Sequence, residues 1–163
     1  MEVNILMKKT IAAILALLML SLCAAQAENR FTCDVFSIDL PDGMRQLDDT
    51  ARAGYEAAVQ SDYPNAGETL LIAQDESRIL YIATGADSDP QTAAESAASL
   101  LLGDASAAAE YQMGDRTVWG FACSVSDMRF DIYYLKENQK SIVIGISGME
   151  TAAISDVLSS IRM

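Results

Sequence analysis

RTVWGFACSVSDMRFDIYYLKENQKSIVIGIS, residues 116–147, is the run whose reading decides the fold. Apolar, β-branched and aromatic residues recur at every second position along its segments. Trp119, Phe121, Cys123 and Val125 share one side of the first. In the second, Met128, Phe130, Ile132 and Tyr134 alternate with Arg129, Asp131 and Tyr133. In the third, Ile142, Ile144 and Ile146 alternate with Ser141, Gly145 and Ser147. A period of two sends successive side chains to opposite faces of a strand. The run therefore reads as an antiparallel meander. Glu137-Asn138-Gln139 supplies one hairpin loop and Ser126-Asp127 the other turn.

The segments before the meander supply its neighbours. Thr69–Gln74 and Arg78–Thr84 carry apolar residues on both faces, and Asp75-Glu76-Ser77 joins them as a hairpin. Strands apolar on both faces belong in the middle of a sheet. Asp89 and Pro90 form an N-cap and a first helical residue. The helix they open bears Ala94, Ala97, Ala98, Leu101 and Leu102 as its apolar stripe and stops at Gly103. An earlier helix, capped by Asp48 or Asp49 and running to about Gln60, carries Ala51, Tyr55, Ala58 and Val59.

Phe31–Leu40 reads as the first strand, with Phe36, Ile38 and Leu40 on one face and Pro41-Asp42-Gly43 as its turn. Short strands are expected over Met44–Leu47 and Glu110–Met113. Ser147 and Glu150 have capping-box spacing for a last helix with Ile154, Val157, Leu158 and Ile161 on one face. The order is strand, helix, hairpin, helix, meander, helix. It predicts an α+β fold, a single twisted antiparallel β-sheet packed with helices.

Phe36-Ser37-Ile38-Asp39-Leu40-Pro41-Asp42-Gly43 resembles the opening strand and turn of the PsbP-like family of exported domains. The helix ahead of the long strands and the final Leu158-Ser159-Ser160-Ile161 segment are similar too. The resemblance spans nearly all of residues 28–163 in outline. It implies an α/β sandwich and no shared catalytic site.

The chemistry of the chain narrows the function classes. There is no histidine, so histidine triads, Cys-His dyads and histidine metal sites are excluded. No glycine-rich phosphate loop is present, and no cofactor or metal ligand set is read. Lys140 and Ser141 are adjacent in a strand and point to opposite faces, which rules out a Ser-Lys dyad. Asp87-Ser88-Asp89 has the spacing of hard-cation ligands, but Asp89 is accounted for as a helix cap. Trp119 reads as core, while Arg129, Asp131 and Tyr133 share one strand face and form the candidate surface contact. Cys33 and Cys123 are either a candidate disulfide closing a long loop or two small buried hydrophobes.

Residues 1–27 read as an export signal. Lys8 and Lys9 precede the apolar run Thr10–Leu22, and Ala25-Gln26-Ala27 forms a small-x-small cleavage site. The start codon is Met1 or Met7. Leu22 precedes Cys23 where a lipidated cysteine normally follows a small residue, which argues against a lipoprotein. Removing residues 1–27 takes away Glu2, Lys8 and Lys9 and moves the net charge from −12 to −13. Such a surface repels nucleic acid and anionic membranes, and no stretch after residue 27 is long and apolar enough to span a bilayer.

The remaining residues 28–163 have the length of a single domain. The expectation is a secreted or extracytoplasmic, non-enzymatic binding or accessory domain of the bacterial cell envelope, whose partner is a protein or envelope component. The alternatives are a small carboxylate-dependent hydrolase and a calcium-dependent adhesive module. Intact mass of the protein from its host should give a chain beginning at Glu28. A mass beginning at a diacylated Cys23 would overturn the soluble localisation and point to a membrane-anchored accessory role.

Overall fold

The computed structural model describes residues 30–62, 67–101, 105–114, 116–125 and 128–163. The export signal, Cys23, the side chains of Ala58, Val59 and Val125, the helix end at Leu102-Gly103 and the Ser126-Asp127 turn lie outside the described residues.

Nine strands and three helices are present among these residues. In chain order they are β1 (Arg30–Thr32), β2 (Ser37–Asp39), β3 (Arg45–Gln46), α1 (Asp49–Asp62), β4 (Thr69–Gln74) and β5 (Ile79–Thr84). There follow α2 (Pro90–Leu100), β6 (Ala109–Met113), β7 (Arg116–Val125), β8 (Met128–Glu137), β9 (Lys140–Ser147) and α3 (Thr151–Ser160). Seven strands form one antiparallel sheet in the order β3-β4-β5-β9-β8-β7-β6. β1 and β2 pair apart from it as a two-stranded ribbon. The fold class is α+β, as the sequence predicts. The single antiparallel sheet is as expected too; the reading of Phe31–Leu40 as one strand is corrected, because that segment is a hairpin, closed by Cys33 N–H donating to the Phe36 carbonyl at 2.9 Å.

Register explains the packing. Ile72, Tyr81, Gly145, Ile132 and Phe121 are consecutive partners across five strands and share one face. Leu71, Ile82, Ile144, Tyr133 and Gly120 form a neighbouring row on the other face. Both rows are mainly apolar, so both faces must be covered. On the first, Ala51 and Tyr55 of α1 pack near Ile72 and Ile79, and the small stripe of α2 packs on Phe121 and Cys123. On the second, Ile154, Val157 and Leu158 of α3, followed by Ile161, join Phe36 and Ile38 of the ribbon segment over Leu80, Ile82, Ile144 and Ile146. Each fully buried Ile or Leu there contributes roughly 1.5–3 kcal/mol by removal from water.

Local chemistry sets the ends. Asp48 Oδ1 accepts from Ala51 N–H, and Asp89 Oδ1 accepts from Thr92 N–H. Pro90 opens α2, and its end at Leu101 is closed by a bond to the Ala98 carbonyl at 3.2 Å. The Ser147/Glu150 capping box does not form. Ser147 is buried in β9, and Glu150 caps α3 without a side-chain bond. Asn138 and Gln139, both at positive φ (53° and 65°), close the β8–β9 hairpin in the mirror-image turn that matches strand twist.

The β4–β5 hairpin is held by Asp75. Its carboxylate accepts from Ser77 N–H, Arg78 N–H and Arg78 Nε at 3.0, 2.8 and 2.6 Å. Burial alone would raise its pKa, but the Arg78 guanidinium and the two backbone donors outweigh burial and hold it below the ordinary range. A lowered folded pKa stabilises above the unfolded value, and that stability is lost as pH falls through the folded one. Asp75→Asn should therefore lower stability at neutral pH and flatten the acid limb of a stability–pH profile measured by urea unfolding. An acid limb identical to that of the unmodified protein would overturn the assignment.

Candidate functional site

A groove of about 350 Å³ lies beneath the ribbon. Phe31, Thr32, Cys33, Asp34 and Val35 of the ribbon hairpin form one wall. Gln46, Asp49 and Arg52 form the second, and Glu68 and Leu70 complete the lining. The local fold explains this placement. The β4–β5 register shifts between Thr69 and Leu71, so Leu70 bulges out of the ladder.

Arg52 is held in place. Its Nη2 donates to Asp49 Oδ1 at 3.1 Å, and its Nη1 donates to the Thr69 carbonyl at 3.2 Å. Lys140 Nζ donates to the Asp34 carbonyl at 2.6 Å and braces the ribbon loop. The ribbon itself is fixed to the end of α3. Ser37 and Arg162 exchange backbone bonds at 2.8 and 2.9 Å, and Asp39 N–H donates to Ser160 Oγ. Across the ribbon, Arg30 engages both carboxylate oxygens of Asp39, at 2.6 and 3.1 Å. That pair lowers the Asp39 pKa. The groove therefore has an apolar lining from Phe31, Val35 and Leu70 and a rim bearing both charge signs.

The surface-contact trio is corrected in part. Arg129 is exposed and pairs with Asp131 at 3.0 Å. Tyr133 is only 6% exposed. Its ring lies across Gly120, where an added Cβ would meet Tyr133 Cδ1 at 2.8 Å. It also meets the Tyr111 ring edge-on at 5.7 Å. Burial, then the nearby Asp131 and Tyr111, pushes the Tyr133 hydroxyl up to about 12, with Arg129 opposing. All three residues do share a face, but that face is covered at the Tyr133 end and open at the Arg129 end.

No disulfide joins Cys33 and Cys123. Cys33 packs on the ribbon-side core and Cys123 on the α2-side core, with the sheet between them. The buried-hydrophobe reading fits Cys123. Cys33 is half-buried and lines the groove.

Trp119 packs in the cluster under α2. Lys136 pairs with Asp87 at 3.0 Å. Asp89 is engaged by Thr92 N–H and Oγ1, whose bonds lower its pKa. Both aspartates of the Asp87-Ser88-Asp89 motif therefore have structural partners.

Sequence reasoning did not find the groove residues Asp34, Asp49, Arg52, Glu68 and Leu70 as a site. They come from separate segments with no shared spacing, and only the folded chain brings them together.

Native-state alkylation checks the thiol placement. Cys33 should label in the folded protein and Cys123 only after unfolding, as read by intact mass. A chain that takes label at neither position until it is reduced would overturn the assignment.

No family model and no curated protein matches the chain. Its fold is similar to the solution structure of cyanobacterial PsbP (CyanoP) from Synechocystis sp. PCC 6803. That likeness has a TM-score of 0.50 and 12% identity over 88% of this chain and 98% of that one. At that identity the likeness concerns the fold, and the fold is PsbP-like.

Proposed function

We propose that this chain is an exported, non-enzymatic binding or accessory domain of the bacterial cell envelope, holding a protein or envelope component in the groove beneath its ribbon. The groove is the observation that carries the reading. Its volume of about 350 Å³ falls within the range of binding clefts. Its apolar patches at Phe31, Val35 and Leu70 and its charged rim offer burial and orientation to one partner.

Three carboxylates outside the groove serve structure: Asp39, Asp75 and Asp89. The shifted carboxylates among the described residues, Asp39, Asp75 and Asp89, are all lowered by structural hydrogen bonds. No described helix is long and apolar enough to cross a membrane.

A photo-crosslinking amino acid separates the outcomes. Placed at Thr32 or Glu68 on the groove rim, it should give a discrete adduct in host cells. At Glu95, on the exposed side of α2, it should give none. Absence of adducts at the rim, or equal adducts at Glu95, would sink the reading.

A further inference from the structure

We propose that β6 is a self-association edge, through which two copies of this chain join antiparallel about a two-fold axis at Tyr111. β6 ends the seven-stranded sheet and is bonded to β7 on one side only. Among the described residues no backbone hydrogen bond reaches its outer side.

Exposed edges are normally blunted by charged side chains (lysine above all), proline, a bulge, shortness or a covering segment, and Glu110 is the one such charge on β6. β6, Ala109-Glu110-Tyr111-Gln112-Met113, has neither lysine nor proline, and its register with β7 is unbroken over all five pairs. The opposite edge is treated differently. β3 is two residues long. Beyond it, Leu47 N–H occupies the Ile72 carbonyl, and Arg52 occupies the Thr69 carbonyl. The fold closes one edge of its sheet and leaves the other able to pair.

The sequence of β6 favours a second copy as the occupant. Each chain carries a net charge of −12, so a register that set carboxylate against carboxylate would be repulsive. Antiparallel pairing about Tyr111 avoids this. It places Tyr111 opposite Tyr111, Ala109 opposite Met113, and each exposed Glu110 opposite Gln112, a neutral amide that donates one N–H to the Gly114 carbonyl at 3.1 Å, accepts from Thr117 Oγ1 at 3.2 Å and keeps its second N–H for the partner. Tyr111 is half-buried with its ring on Tyr133, and a partner Tyr111 would cover its remaining edge. A five-residue strand buries less than the roughly 1,200 Å² of a stable interface. The pairing is therefore weak and reversible, and the acidic net charge makes it stronger at high salt.

Sedimentation equilibrium of the purified protein at about 0.15 M and about 1 M salt tests this, because the screening length falls between them. The weight-average mass should rise with concentration toward twice the monomer, more steeply at high salt. Gln112→Glu sets carboxylates opposite each other twice across the axis and should weaken association about tenfold, while Gln112→Lys should tighten it about tenfold. Both are surface changes that leave the core intact. Amide exchange should slow with concentration across Ala109–Met113. A monomer mass up to about 1 mM at both salts, an affinity indifferent to Gln112, or protection located away from β6 would each overturn the proposal.

Discussion

Everything in this structure follows from a sheet whose middle strands are apolar on both faces. β9 is the fourth of seven strands, and Ile142, Ile144 and Ile146 on it are at most 1% exposed. On its other face Gly145 lets the Tyr81 and Ile132 side chains close over the backbone. A sheet buried on one side only could face water on the other. This one cannot, because roughly 25 cal/mol is lost for each Å² of apolar surface left wet. α1 and α2 answer the need on one side, and α3 with the β1–β2 ribbon on the other. Among the described residues this cover runs out at the groove by the ribbon, at the Arg129 end of β8 and at the β6 edge.

The parts that were legible in the sequence are those with a strong period. The meander, the β4–β5 hairpin and the α3 face declare themselves through alternation or helical spacing, and Asp89-Pro90 marks a helix start by chemistry alone. What failed was position along an element. Arg129, Asp131 and Tyr133 have the pattern of a solvent face, and they do lie on one side. The cover over that side, where the Tyr111 ring meets Tyr133, ends between them, and no local signal records which distant side chain lies across a strand. Phe31, Cys33 and Val35 alternate in one phase and Phe36, Ile38 and Leu40 in the other; the phase breaks at Val35-Phe36, beside the reversal, and a reading that runs across the break takes a hairpin for a strand. The Ser147/Glu150 spacing mimics a capping box, yet β9 continues through Ser147 because its partner Ile79 holds it in the sheet.

The groove was illegible for a different reason. Its polar residues are ordinary in isolation: Asp49 and Arg52 are one helical turn apart, Asp34 is a loop residue, and Glu68 precedes a strand. They become a site only because Leu70 bulges and the ribbon settles above it. Similarity to cyanobacterial PsbP shows the framework and leaves such details to this chain. A common sandwich can carry unrelated surfaces, since function resides in what is placed on a fold.

The Ser37–Arg162 pairing also bears on the order of assembly. The ribbon is among the first described segments of the chain, and its anchor lies at the far end of the sequence. Closing a loop of that length comes late, because its entropy is paid before the contact is gained. The central hairpins can form from near neighbours while the ribbon waits for a partner as distant along the chain as Arg162. The groove wall is then the final piece of architecture to arrive and, by the same reasoning, the first to loosen. Opening of the ribbon would be a local event with its own equilibrium, separate from unfolding of the sheet.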